Sequence, residues 1–401
     1  MKHHSFARTL ALCLAFLGLL AAAPAARAVD WLHEKKGRKI AALAINWLRT
    51  QQDQATGGWS VSPEGQPNFP AITALVVSGM LKDPTIDERD AAVARGIAYI
   101  LRFRQPDGGL YDRVLPSYNT AICLSTLSQV KRPEAAACIE PAISFLRTLQ
   151  WSPESGDHPN ETGRVSMEHP FYGGVGYGRH GRPDNSNLGM FVEAMHDAGL
   201  ASTDPAFGRA LTFLARTQMD DRVNDMPYAR GSRQGGFIYA TAPSGDAEGQ
   251  GQSQAGEIEE TLPDGSKVMR LRAYGSMTYT GFKSMIYANL SREDMRVRVA
   301  HDWIRRNYTL EENPGAGTDG LYYYLLAFAR ALDAWGSDTI TPLNADGTEA
   351  PPRDWRHDLI DRLTVLQTTK GSFRSVDDRW MEDNEVLITA YSLIALQHAM
   401  D

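Results

Sequence analysis

One spacing recurs along this chain and leaves few folds open to it. Leu48, Leu101, Leu146, Leu214 and Leu363 each stand four residues ahead of a glutamine: Gln52, Gln105, Gln150, Gln218 and Gln367. A worn sixth copy puts Ile304 four residues before Tyr308. Most copies lead into a glycine turn with an apolar residue behind it: Gly57-Gly58-Trp59, Gly108-Gly109-Leu110-Tyr111, Gly235-Gly236-Phe237-Ile238-Tyr239 and Gly371-Ser372-Phe373. A second apolar segment follows each turn. Repetition on this scale marks a fold made from one supersecondary unit copied along the chain.

The unit is two helices of unlike character. The pattern predicts an amphipathic helix over 38–52, with Ile40, Leu43, Ile45, Trp47 and Leu48 on a broad apolar face. Pro70 suits a helix start. Residues 71–81 are apolar nearly all round, which suits burial on every side. The same alternation predicts pairs at 91–105 and 118–130, 135–150 and 185–198, 207–218 and 276–290, 296–307 and 321–335, and 354–367 and 385–400. Long insertions at 151–183 and 220–272 interrupt the third and fourth pairs. Within the second, 257–262 and 266–271 flank Pro263-Asp264-Gly265 and read as a β-hairpin on a turn. The last helix is as apolar as any interior one, so the array is expected to close on its first pair rather than end in a polar cap. The expected fold is all-α, an α6/α6 toroid of six helical hairpins with inner and outer rings and a small β-hairpin in an insertion.

The first residues read as an export signal. Lys2 and Arg8 precede an apolar run over 10–23, and Ala26-Arg27-Ala28 offers a small-x-small cleavage site. Cleavage after Ala28 would leave 29–401 as a single exported domain, periplasmic or extracellular. Net charge is −7, which argues against a general nucleic-acid binder. Past the signal only Cys123 and Cys138 remain. Both fall within predicted helices and read as buried thiols, with a disulfide left open.

The helix pairs resemble the repeat of the prenyltransferase and squalene-hopene cyclase superfamily, whose glutamine-tryptophan motif couples neighbouring repeats. Gln52 with Trp59 is the fullest copy; Gln105 with Gly108-Gly109 and Gln218 with Gly235-Gly236 are partial ones. The resemblance spans nearly all of the chain after residue 28. It implies a terpenoid cyclase-like toroid in which these glutamines satisfy backbone groups at helix ends and serve as scaffold. The superfamily's catalytic signatures are mostly missing. No Asp-x-Asp-Asp motif is found: the matching stretches read Pro116-Ser117-Tyr118-Asn119-Thr120-Ala121 and Glu382-Asp383-Asn384-Glu385. No Asp-x-Cys pair supplies prenyltransferase zinc ligands, and the Gly-Cys-Gly-Glu-Gln thioester of complement-type toroids is absent. Whether the chain is an enzyme is left open, and no cofactor or metal is expected.

A toroid with this chain order gathers its inner-helix N-termini on one rim, where the helix dipoles favour anionic groups. The residues heading those helices are the site candidates. Asp383, Glu385, Asp184 and Tyr279 are the candidate catalytic groups. Tyr118, Asn119, Asn185, Asn187, His180, Arg182, Tyr274, Ser276, Asp319, Tyr322 and Tyr323 are the candidate substrate contacts. Asp, Asn and Ser at such positions also cap helices, but tyrosines do not, and they suit a cavity wall that is apolar with polar tips. The first insertion adds His158, His169, Tyr172, Tyr177 and Arg179 among pliable glycines, and reads as a lid. Its histidines fit no standard metal spacing. Lys283, a turn past Tyr279, is ordinary if it points outward and unusual if inward.

Two kinds of function follow. One is an isoprenoid or triterpenoid pocket with cyclase-like acid chemistry, Asp383 or Glu385 donating the proton. The other is a carbohydrate-active toroid, such as a polyuronate lyase, or a ring that only binds or assembles. The partner expected is a small molecule, lipid or glycan in the ring cavity, with no nucleic acid. Peripheral membrane contact and oligomeric state are left open.

Overall fold

The computed structural model describes residues 29–153, 165–178, 181–243, 249–262 and 264–401. The expected leader, 1–28, lies outside them, as do His158, Arg179 and His180. The described residues hold six pairs of α-helices. They are α1 (Trp31–Gln51) with α2 (Pro70–Leu81), α3 (Ala91–Leu101) with α4 (Pro116–Leu127), and α5 (Pro133–Leu149) with α6 (Asn185–Asp197). Then come α7 (Pro205–Thr217) with α8 (Gly275–Tyr287), α9 (Met295–Arg306) with α10 (Leu321–Trp335), and α11 (Trp355–Leu366) with α12 (Glu385–Met400). The second helix of each pair packs on the second helix of the next. The contacts run α2–α4–α6–α8–α10–α12 and back to α2, a closed inner ring. The first helices lie outside it, and α1 meets α11 and α12 across the seam.

Hydrophobic patterning explains the two rings. Every residue of α2 from Pro70 to Met80 is buried, because neighbours stand on all its sides. In α7 the buried set is one stripe that includes Phe207, Ala210, Phe213 and Leu214, with solvent behind it. One contiguous core joins all twelve helices.

Four of the five repeated glutamines tie their unit to the next, while Gln105 donates to Tyr111 within its own turn (2.7 Å). Gln52 Nε2 donates to the carbonyl of Gly57 in its own turn (2.8 Å) and to Ala92 in the first turn of α3 (2.9 Å). Gln150 does the same with Gly173 and Ala206, and Gln218 with Gly235 and Arg296. Gln367 closes the ring, donating to Gly371 (3.0 Å) and across the seam to Ile40 in α1 (2.8 Å). The worn copy still reaches forward, since the Tyr308 hydroxyl donates to Asp358 of α11. A second device recurs beside it. The N–H groups of Trp59, Leu110, Phe237 and Phe373 donate to the hydroxyls of Thr73, Thr120, Thr278 and Thr389, one turn into the following inner helix.

Five of the six turns open on a left-handed glycine pressed against the backbone of the next outer helix. Gly371 has φ +94° and an added Cβ would lie 2.5 Å from the Leu43 carbonyl oxygen. Gly173, φ +81°, occupies the same place in the third unit. That turn, Gly173-Gly174-Val175, therefore belongs to the repeat and is not the pliable loop its composition suggests.

Helix limits fall close to expectation, with one exception. α1 starts well before residue 38, because Asp30 caps it by accepting the His33 N–H (2.9 Å) and Glu34 pairs with Arg38 one turn on. Trp31 and Leu32 are exposed, so no apolar stripe announces this extension. The expected hairpin is present as β3 (Glu257–Thr261) and β4 (Lys267–Leu271), in unbroken antiparallel register. Two short antiparallel pairs were not expected: β1 (Gln218–Asp220) with β2 (Arg233–Phe237), and β5 (Thr339–Ile340) with β6 (Arg353–Asp354). Cys123 and Cys138 are both free and buried. No helix among the described residues is long and apolar enough to cross a membrane.

Candidate functional site

The heads of all six inner helices meet at one rim, and three of them, those of α2, α8 and α10, are capped by a neighbouring repeat. Asn119 Oδ1 accepts the Ala71 N–H at the head of α2 (3.1 Å), while its Nδ2 donates to the carbonyls of Val114 and Leu115. Asn313 serves α8 through the Ser276 N–H (2.9 Å). α10 begins at Gly320, which has no side chain to offer, and Glu382 accepts the Tyr323 N–H instead (2.9 Å). Asp184 and Asn384 cap their own helices, α6 and α12.

Between these heads lies a cavity of about 200 Å³. Eight aromatic side chains line it: Phe69, Tyr118, Tyr177, Tyr239, Tyr274, Tyr323, Trp380 and Tyr391. Ile72, Leu75, Met277 and Leu387 add aliphatic surface, and Asn119, Ser186 and Ser276 add polar points. The hydroxyls are tied to one another across helices. Tyr118 meets Tyr391 at 3.2 Å, and Ser186 meets Tyr323 at 3.3 Å. Burial pushes the Tyr118 and Tyr177 phenols up to about 12, so both stay protonated at neutral pH.

Trp380 and Met381 form part of the wall while remaining partly exposed. Both sit in the left-handed region, at φ +57° and +65°. Two such residues in succession persist only where their surroundings hold them. The Trp380 ring lies on Gly320, where an added Cβ would come within 2.6 Å of it. The Arg379 guanidinium stands 4.4 Å from the same ring and pairs with Asp319. Asp319, expected as a substrate contact, thus pins this segment instead.

The cavity has a floor. Ala71, Ile72 and Leu75 of α2 line it, and one turn deeper Leu75 and Ser78 border a void of only about 10 Å³ shared with Glu193 and Arg330. There Glu193 accepts from Lys283 and from Arg330 (2.8 Å), all three buried. Lys283 therefore points inward, and the ring's hub is an ion triad.

Two carboxyls near the rim have raised pKa values. Burial lifts Asp184 to about 6, against the N–H and amide of Asn187 and the charge of Arg182. The Tyr239 hydroxyl also reaches it, and Tyr239 is bonded to Tyr177. Burial lifts Glu382 to about 7, and the charges of Asp377 and Asp319 add to that rise. Both acids stand behind the aromatic wall rather than on it.

The expected acids behave otherwise. Asp383 is exposed. Burial works to raise Glu385, but Ser372 and Arg374 (3.1 Å) outweigh it and leave its pKa lowered. A carboxyl held ionised has no proton to give at neutral pH. The buried member of that stretch is Glu382, one residue before the pair that composition favoured.

Of the expected contacts, Tyr118, Asn119, Tyr274, Ser276 and Tyr323 are on the cavity wall. Asn187 lies behind it and orients Asp184. Arg182 stacks its guanidinium 5.0 Å from the Tyr239 ring. Three residues turn elsewhere. Asn185 donates to Thr217 and the Ile238 carbonyl, away from the ring's mouth. Tyr279 is in the aromatic core against Tyr324 and Phe328. Tyr322 donates to the Arg374 carbonyl and packs on Phe373. His180 is outside the described residues. Sequence reasoning passed over Phe69, Tyr239, Met277, Trp380 and Tyr391. Tyr391 was within reach, since it sits one turn past Leu387 on the same helix face. In the first insertion, Tyr177 reaches the wall, while His169 stacks on Trp151 in a satellite core.

No protein-family model and no curated protein sequence matches the chain. Solved structures do. A D-mannose isomerase superposes with TM-score 0.57 at 12% identity, covering 93% of this chain and 99% of its own. An inactive variant of an alpha-1,6-mannanase from Salegentibacter sp., in complex with alpha-1,6-mannotriose, gives 0.54 at 11%, covering 91% and 98%. A type II terpene cyclase from Scytonema, in complex with geranylgeranyl dihydroxybenzoate, gives 0.52 at 12%, covering 92% and 99%. At such identities the likeness is one of fold alone: the chain is an α/α toroid.

Proposed function

We propose that the protein binds one short apolar group, of isoprenoid or aromatic type, in its rim cavity. The observation that carries this reading is the wall itself: eight aromatic side chains, tethered hydroxyls and, among the described residues, no carboxyl. Volume sets the size. A cavity of roughly 150 Å³ holds a benzene ring, so about 200 Å³ suits one or two isoprene units, not a whole triterpene. A longer chain would leave by the mouth beside Trp380. That a toroid of the same fold is found with a geranylgeranyl-bearing substrate supports this class. The mannotriose complex of another keeps glycans in the test. We further place the protein outside the cytoplasm, on the export signal read over 1–28.

A second reading rests on the Asp184–Tyr239–Tyr177 chain, which links a buried acid to the wall. It would let Asp184 exchange a proton with a bound ligand through the phenols.

Titration of the purified protein with geraniol, farnesol and mannotriose, followed by tryptophan fluorescence, tests the first reading. Saturable quenching by the prenyl alcohols is expected, with loss in Tyr118→Trp, whose larger ring fills the cavity. Saturation by mannotriose alone would overturn it. Solvent extraction and mass spectrometry of the same preparation identifies any carried ligand. If a product is found, Asp184→Asn turning it over at the wild-type rate would remove the second reading.

A further inference from the structure

The two outer helices that meet at the seam begin with the same four-residue pattern. α1 opens on Asp30-Trp31-Leu32-His33, and α11 on Asp354-Trp355-Arg356-His357. In each the aspartate is the N-cap and the histidine lies in the first turn. These tetrapeptides stand at opposite ends of the chain, and ring closure brings them face to face. The His33 and His357 rings stack with centroids 3.9 Å apart and planes 5° from parallel.

We propose that the heads of α1 and α11 form a site for a divalent transition metal of zinc's class, clasping the first outer helix to the last. Asp30, His33 and His357 each offer one ligand atom, and the three atoms lie within 4.8 Å of one another. The caps use one oxygen of each aspartate, and the other oxygen of Asp30 is hydrogen-bonded to His33 Nδ1. Asp30 uses Oδ1 to accept the His33 N–H, and Asp354 uses Oδ1 to accept the N–H groups of Arg356 and His357. Asp30 then presents Oδ2 to the cluster. Asp30 Oδ2 is 2.8 Å from His33 Nδ1 and 3.6 Å from His357 Nε2. Asp354 Oδ2 is also 3.6 Å from His357 Nε2 but lies outside the group of three, and a solvent oxygen would complete four-fold coordination.

These distances bracket the separation of about 3.4 Å between ligands that follows from tetrahedral zinc with bonds near 2.0–2.1 Å. The donor set, two imidazoles and one carboxylate with an open fourth position, is one zinc accepts. His357 Nε2 accepts a long hydrogen bond from the Asp30 backbone N–H (3.4 Å), so that nitrogen is deprotonated there and a metal would take the place of this N–H. A neighbouring carboxylate orients the other imidazole: Asp361 Oδ1 is 3.6 Å from His33 Nε2 and is itself held by Lys36. Carboxylate partners of this kind fix ligand histidines at metal sites. The two rings lie in nearly parallel planes, so one imidazole must turn out of the stack for both lone pairs to meet one ion. The histidines are half-buried, with side-chain exposures of 16% and 26%, so the site is open to ions from solvent.

The test uses the full chain without an added polyhistidine tag, stripped with EDTA and titrated calorimetrically with zinc chloride. One saturable equivalent is expected, with a rise in the thermal midpoint. Cobalt(II) in its place should give the visible absorption of a four-coordinate ion. His33→Ala and His357→Ala should each weaken uptake by at least the roughly 10–100-fold that loss of an outer-shell partner costs. Asp30→Asn keeps an N-cap residue while removing the carboxylate, so weaker binding with an unchanged metal-free melting curve separates ligation from folding. No saturable uptake by the wild type, or undiminished uptake by the folded His33→Ala/His357→Ala double variant, would overturn the proposal.

Discussion

Glu193→Gln tests whether the ring's hub is sealed. Glu193, Lys283 and Arg330 are 4%, 4% and 7% exposed. Removing the one anion leaves two cations buried together. Breaking a buried pair from one side costs about 3–5 kcal/mol, because a charge stays uncompensated. The titration of Glu193 gives a similar figure. Burial works to raise its pKa, but Arg330 and Lys283 hold it at about 2 against an ordinary 4.5, roughly 3 kcal/mol of preference for the charged form. The folded pKa is depressed, so this stabilisation is complete above about pH 4.5 and is lost as pH falls toward 2. Urea unfolding of both proteins at pH 7 should therefore show a gap of about 3–5 kcal/mol that narrows below pH 4.5. Glu193→Gln with Lys283→Met should recover much of it, since one buried cation goes with the anion. A gap under about 1 kcal/mol at pH 7, as for an exposed ion pair, would refute the reasoning. So would a gap indifferent to acid. Either would mean that water reaches the triad, that the cavity has no floor, and that its volume no longer limits the ligand.

Other substitutions probe the scaffold and the rim. Gln367→Ala strands the Ile40 and Gly371 carbonyls at the seam and should cost about 1–3 kcal/mol by urea unfolding, whereas the exposed Gln51→Ala should stay within about 0.5. Glu382 has its pKa raised by burial to about 7 from 4.5, so its contribution is full below pH 4.5 and is lost as pH rises through 7. Glu382→Gln keeps an acceptor for the Tyr323 N–H, and unfolding curves across that window should lose a slope worth up to roughly 3 kcal/mol. Gly65→Ala, at φ +84° with nothing within 4 Å, should cost only backbone strain of about 1 kcal/mol in a thermal melt. Gly371→Ala adds a clash with the Leu43 carbonyl at 2.5 Å to similar strain and should cost several times more.

The leucine-to-glutamine spacing and the alternation of half-apolar with fully apolar segments were enough to foresee six hairpins, their order and ring closure. These are local periodicities, and a helix shows its buried faces in its own residues. The hairpin of β3 and β4 was legible for the same reason, a turn between two short runs. The rim was legible as a place, because one chain direction puts every inner-helix head on one side. Its chemistry was not.

Asp383, Glu385 and Glu382 stand almost side by side in the chain, yet one is exposed, one is held ionised by Ser372 and Arg374, and one is buried under the head of α10. Tyr279 faces the core and Tyr239 the cavity, although both were in view as tyrosines near apolar runs. Asn119 and Asn313 cap helices of the preceding repeat, and His33 meets His357 only because the ring closes. Burial, capping by a neighbour and the pKa of an acid are set by what lies opposite in space. Residue spacing along a strand of twelve helices says which units repeat; the closed ring alone says which atoms they turn toward each other.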